Sequence, residues 1–107
     1  MRKIYLAGRY SATSVIEALE NIRRGQRKAT EFLLNGDSPF CPWLDHQLFL
    51  QLRGDEKISL EMIREHSIAW MMCADLVYVL RGWEGSKGTE AEISRAQELN
   101  IPVQYEQ

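Results

Sequence analysis

Apolar and polar positions divide the chain into short continuous apolar runs separated by longer stretches of helical period. Residues 4–7, Ile4 to Ala7, form a β-prone run closed by Gly8, which predicts a buried strand. Over residues 12–34, Val15, Ile16, Leu19, Ile22, Ala29, Phe32 and Leu33 recur largely on one helical face, and Asn35-Gly36-Asp37 supplies the stop. Pro39 and Pro42 exclude a central strand along the whole of residues 38–43, so a very short strand running into a loop is expected there. A second helix is predicted over 58–73, with Ile58, Met62, Ile63, Trp70 and Met71 as its packing face. Leu76 to Leu80 is the clearest strand, because an unbroken apolar run suits a strand covered on both faces. A loop over 82–88, a third helix over 89–100 and an edge strand over 101–105 complete the pattern.

The order β-α-β-α-β-α-β predicts an α/β domain with a parallel sheet and helices on its faces. In such sheets ligands bind beyond the carboxyl ends of the strands. That rule selects residues 8–11, 42–46 and 81–92 before any motif is considered. No repeat, linker or low-complexity tract interrupts the chain, and its 107 residues are read as one domain spanning 1–107.

A formal net charge of −2, from 13 basic and 15 acidic residues, argues against a nucleic-acid polymer as partner. It leaves a small anionic ligand open, since a few local donors suffice. Cys41 and Cys73 have neither CxxC spacing nor histidine companions, and are read as buried reduced thiols. The apolar run near the start is too short for a secretion signal, and no segment approaches membrane-spanning length. A cytoplasmic protein is expected, with no membrane association.

The most informative stretch is Gly82-Trp83-Glu84-Gly85-Ser86-Lys87-Gly88-Thr89-Glu90-Ala91-Glu92, where glycines and a serine run straight into a helix. Free N–H groups and the helix dipole favour an anion there. The same field would keep a first-turn carboxylate at Glu92 ionised, and an ionised glutamate facing a sugar can attack an anomeric carbon. The same residues also spell a capping box, Thr89-x-x-Glu92, in which the glutamate only bonds back to the cap. Both readings stand on local pattern, and Glu90 reads as plain surface. Gly8, Arg9 and Tyr10 leave the first strand toward a helix and can reach the same ligand, Tyr10 either stacking on a base or closing the core. Asp45 and His46 follow the second strand and can bind a ribose or donate a proton, or can be an idle loop pair. Asp75 precedes its strand and is read as structural. Neither a metal nor a cofactor is expected, for no third metal ligand has suitable spacing.

Three segments together resemble the nucleoside 2-deoxyribosyltransferase superfamily. They are Lys3-Ile4-Tyr5-Leu6-Ala7-Gly8-Arg9-Tyr10-Ser11, Ala74-Asp75-Leu76-Val77 and Gly82-Trp83-Glu84-x-Ser86-x-Gly88-Thr89-x-x-Glu92, followed by Ala96 and Ile101-Pro102-Val103. Within it, small phage-type and bacterial proteins are most similar, with the deoxynucleoside 5′-monophosphate N-glycosidases as relatives. The resemblance implies a flavodoxin-like three-layer domain with a short parallel sheet of four to five strands flanked by helices. It implies a nucleophilic Glu92, a 5′-phosphate at Ser86 with Gly88 and Thr89, a pocket lined by Gly8, Arg9 and Tyr10, and a homodimer or higher homo-oligomer. Apolar Trp43, Phe49 and Leu50 agree with self-association. One position departs from the pattern: the family's aspartate on the second helix falls at Ser67, a neutral hydroxyl. Either Asp45 or His46 takes over its role, or the domain is a nucleotide-binding sensor without turnover. Cleavage of NAD is a third reading, by analogy with Toll/interleukin-receptor-type domains.

Overall fold

The computed structural model describes residues 1–107. Strand β1 (Lys3–Ala7) leads through a turn to helix α1 (Val15–Leu34), capped by the Ser14 hydroxyl, which accepts from the Glu17 N–H. Strand β2 (Ser38–Phe40) runs into a tight 3₁₀ turn (Pro42–Asp45) and a one-turn helix α2 (His46–Phe49). Helix α3 (Leu60–Met71), strand β3 (Leu76–Val79), helix α4 (Lys87–Glu98) and strand β4 (Val103–Tyr105) follow. The strands pair in the order β2-β1-β3-β4, all parallel, giving the parallel sheet that the element order predicts and the flavodoxin-like layout that the resemblance implies. Observed helices start two to three residues later than periodicity alone places them for α1 and α3, because Ser14 and Ser59 cap them. Helix α4 starts two residues earlier, at Lys87.

Each sheet face has its own core. Ile4, Leu6, Tyr78 and Leu80 pack under α1 with Ala29 and Trp43, whereas Tyr5, Ala7, Val77 and Val79 pack under α3 and α4 with Met71, Ile93 and Ala96. Trp43 is not part of an apolar surface, as its neighbours Phe49 and Leu50 are; it is buried, and its Nε1 donates to the Arg9 carbonyl at 3.1 Å. Gly25 on α1 makes room for it: a Cβ there would lie 2.2 Å from the indole ring. The inner stripe of α1 is therefore Ile22, Gly25, Ala29 and Phe32, and Val15, Ile16, Leu19 and Leu33 point outward.

On α3 the predicted face rotates. Met62 and Trp70 are exposed, and the inward stripe is Ile63, Ser67 and Met71, four residues apart. A serine in the middle hides that stripe from a hydrophobic pattern. Cys73 is exposed and Cys41 half-buried, both unpaired, so burial of both thiols does not hold. At the amino edge Asp75 accepts the Lys3 N–H at 2.8 Å and ties β3 to β1, the structural role its position predicts. No helix is long and apolar enough to cross a membrane.

Candidate active site

A cavity of about 500 Å³ opens at the carboxyl edge of the sheet. The turn after β1 contributes Gly8 to Ser11, the turn after β2 contributes Pro42, Trp43 and Asp45, α3 contributes Ile63, Arg64 and Ser67, and the start of α4 contributes Gly85 to Thr89 and Glu92. The three segments selected by topology thus converge, and α3 closes the space between them.

Glu92 sits on the cavity wall in the second turn of α4, since the helix begins at Lys87, with Ser86 at the N-cap position making no side-chain capping bond. Its Oε2 takes a short hydrogen bond from the phenol of Tyr5, a residue fully buried in β1. The capping box therefore does not form. Thr89 is a buried residue inside the helix, its hydroxyl 3.0 Å from the Ser86 hydroxyl, and Glu92 reaches the sheet instead of the cap. The backward bond comes from Glu90, whose carboxylate accepts the Gly85 N–H at 3.1 Å, so that side chain braces the loop.

Burial decides the charge of Glu92. Desolvation raises its pKa from 4.5 to about 7, the hydrogen bond from Tyr5 opposes the rise, and the nearby Asp45 charge adds to it. A helix-dipole field holding it ionised is thus outweighed, because that field fades beyond the first turn. The Tyr5 phenol is driven well above its ordinary value by burial and then by Glu92, so it stays a donor. Ser67, buried on α3, faces the same phenol. A carboxylate that titrates near neutrality beside a permanent donor is suited to act as nucleophile or as base.

Asp45 lies on the same wall with its side chain 12% exposed, and His66 Nε2 approaches its Oδ1 to 3.8 Å. Burial raises its pKa, and His66 and His46 pull it back. His46 itself does not line the cavity: its Nδ1 is turned to the Trp43 carbonyl at 2.7 Å, because α2 carries the ring away from the sheet edge. Of the two residues after β2, Asp45 alone is in place for chemistry.

The loop after β3 is fixed from below. Arg9 Nε donates to the Gly82 carbonyl at 3.2 Å and its Nη2 to the Glu84 carbonyl, while Gly82 and Gly85 adopt φ of 88° and 85°, which side chains resist. Arg9 therefore shapes this turn as well as lining the cavity. Tyr10 stands at the rim, 37% exposed, in position to cover a ligand. Tyr5 and Trp43 escape sequence reasoning as site residues. Tyr5 looks like core and Trp43 like apolar surface, and no local pattern reports that a phenol in the middle of a strand meets a helix 87 residues later.

No curated protein matches the chain. Among solved structures, the fold is similar to a 2-deoxyribosyltransferase from Bacillus psychrosaccharolyticus, with TM-score 0.63 and 21% identity over 96% of this chain and 70% of that one. A conserved protein from Enterococcus faecalis V583 superposes with TM-score 0.61 and 19% identity over 98% of this chain, which spans 62% of the length of that protein. Identities this low establish a shared fold, the nucleoside 2-deoxyribosyltransferase-like one. Residues 2–106 match the model of Domain of unknown function (DUF7768), and the chain belongs to that family.

Proposed function

We propose that this protein cleaves the N-glycosidic bond of a deoxynucleoside or its 5′-monophosphate, releasing the base to water or exchanging it for another. The observation that carries this is Glu92, buried on the wall of a sugar-sized cavity and held by the Tyr5 phenol. The fold shared with a 2-deoxyribosyltransferase supports the same reading.

In this mechanism the ionised Glu92 oxygen bonds to the anomeric carbon as the carbon–nitrogen bond breaks, and the electron pair leaves with the base. A carboxylate stripped of water and anchored by one phenol is a better nucleophile than a solvated one. Asp45 takes up the proton that Glu92 holds in the free protein and gives it to the departing base, in place of the acid absent at Ser67. The ester is then opened by water, whose proton returns to Asp45, or by an incoming base. At the other end of the cavity the first N–H groups of α4, at Gly88 and Thr89, and the Ser86 hydroxyl offer donors to a 5′-phosphate, with Gly8 making room for the Trp43 wall and Tyr10 covering the sugar or base. Exposed Leu48, Phe49 and Leu50 fit a homo-oligomer.

Incubation with a panel of deoxynucleosides and their 5′-monophosphates, followed by chromatography for free base, tests the reaction. Release from at least one substrate is expected. Release that proceeds equally well in Glu92→Ala removes Glu92 from the mechanism.

A further inference from the structure

Strand order divides the cavity into two ends. With β1 in the middle, the β3–α4 turn carrying Ser86 and the β2 turn carrying Asp45 lie on opposite flanks of the Tyr5–Glu92 contact. A nucleotide whose phosphate occupies the first flank and whose anomeric carbon meets Glu92 places its base on the second. That flank is formed by Pro42, Trp43 and Ile63, with Asp45 as its anionic group and Arg64, next to Ile63, as a cationic one.

Asp45 is incompletely satisfied by the protein. Its side chain is almost buried, no backbone or side-chain donor hydrogen-bonds it, and the one basic side chain within 4 Å is His66, with Nε2 at 3.8 Å. Its oxygens are not sealed from solvent, and the residue borders both this cavity and a second hollow beside His66 and Cys41. A ligand that displaces water from this carboxyl group must return its hydrogen bonds, which a ligand's N–H groups do. Around it, Tyr5, Tyr10, Cys41, His46, His66 and Glu92 are the titratable groups within electrostatic reach, and Glu92 is the only other carboxylate among them.

We propose that Asp45 selects the base, favouring one with an amidine edge, adenine or cytosine, whose exocyclic amine donates to one carboxyl oxygen while the neighbouring ring nitrogen takes the proton of the other. This rests on the glycosidic reading above. As the carbon–nitrogen bond breaks, the proton passes from Asp45 to the ring nitrogen, leaving the carboxylate paired with a protonated, departing base. Where the amine is replaced by oxygen, as in hypoxanthine or uracil, the acceptor is a lactam oxygen, too weak a base to take that proton, and the edge presents no amine.

The test compares dAMP with dIMP and dCMP with dUMP, pairs of the same shape, by base release and by thermal shift. The amino member of each pair is expected to react at least about tenfold faster, the discrimination a good two-point base contact gives. Asp45→Ala, able neither to pair with the base edge nor to supply the proton, brings that ratio close to one, and Asp45→Asn, which can still pair with an amidine edge but not protonate it, lowers release from both members. Equal rates within both pairs, or a preference that survives Asp45→Ala, overturn the proposal while leaving glycosidic cleavage intact. Tighter binding of dAMP and dCMP without release from any of the four supports base selection by Asp45 and removes the glycosidic reaction. Neither binding nor release with any of them overturns both.

Discussion

Glu92 and Glu106 stand at the same edge of the same sheet and experience opposite surroundings. Glu106 follows β4, accepts the Arg81 N–H at 2.9 Å, and lies 3.5 Å from the Lys28 ammonium and 3.9 Å from Arg24. Burial pushes its pKa up, but the Arg81 N–H and Lys28 outweigh it, and the net shift is downward. Glu92, on α4 at the α3–α4 face of the sheet, has one phenol and no cation, and its pKa rises to about 7. The α1 side of the edge is thus an ion-paired seam that closes the fold. The α3–α4 side holds a carboxylate that costs stability when charged, which is the arrangement expected where a side chain is kept for a reaction.

The contrast can be broken most severely at Glu92. Glu92→Gln is expected to lower base release by about a thousandfold or more, as loss of a nucleophile does. Stability should move the other way. Between pH 4.5 and about 7 the folded protein retains a proton on Glu92 that the unfolded chain has released, so folding weakens as pH rises through that window. The loss totals about 3 kcal/mol. Urea unfolding should therefore find Glu92→Gln more stable than the parent protein at pH 8, with the difference closing toward pH 4.5.

Smaller effects sharpen the same comparison. Gly25→Ala drives a methyl group into the Trp43 ring and should cost about 1–3 kcal/mol in urea unfolding. Because Trp43 walls the cavity, base release should fall with it. Tyr5→Phe leaves Glu92 with burial but without its donor, so its pKa rises further. The rising limb of the pH–rate profile then moves to higher pH, and activity at pH 7 drops by about tenfold. Glu106→Gln is the smallest change. Loss of partly exposed pairs is worth about 1 kcal/mol or less, and base release should be unaltered.

The fold was legible because the apolar runs at Ile4–Ala7 and Leu76–Leu80 and the helical repeat between them leave few arrangements, all of them parallel. Topology likewise brought Glu92, Ser86, Asp45 and Tyr10 to one edge before any side chain was placed. What escaped is set by contacts distant in sequence. The spacing Thr89-x-x-Glu92 matches a cap, but the N-cap position is Ser86, and Glu92 turns to a phenol on β1. Its protonation follows from that burial rather than from its helix position. His46 adjoins Asp45 in sequence yet leaves the site because a one-turn helix begins there, while His66, from α3, takes its place beside the carboxylate. Trp43 reads as surplus apolar surface until Gly25 is seen to receive it.

The most direct test is to look for the sugar on Glu92. A deoxynucleoside carrying fluorine at the 2′ carbon slows both formation and breakdown of a glycosyl ester, so quenching in acid and peptide mass spectrometry can catch it. One sugar mass on the peptide containing Glu92, absent from Glu92→Gln, is the predicted result. Base release from the parent nucleoside with no adduct, or with the sugar on another residue, contradicts the account.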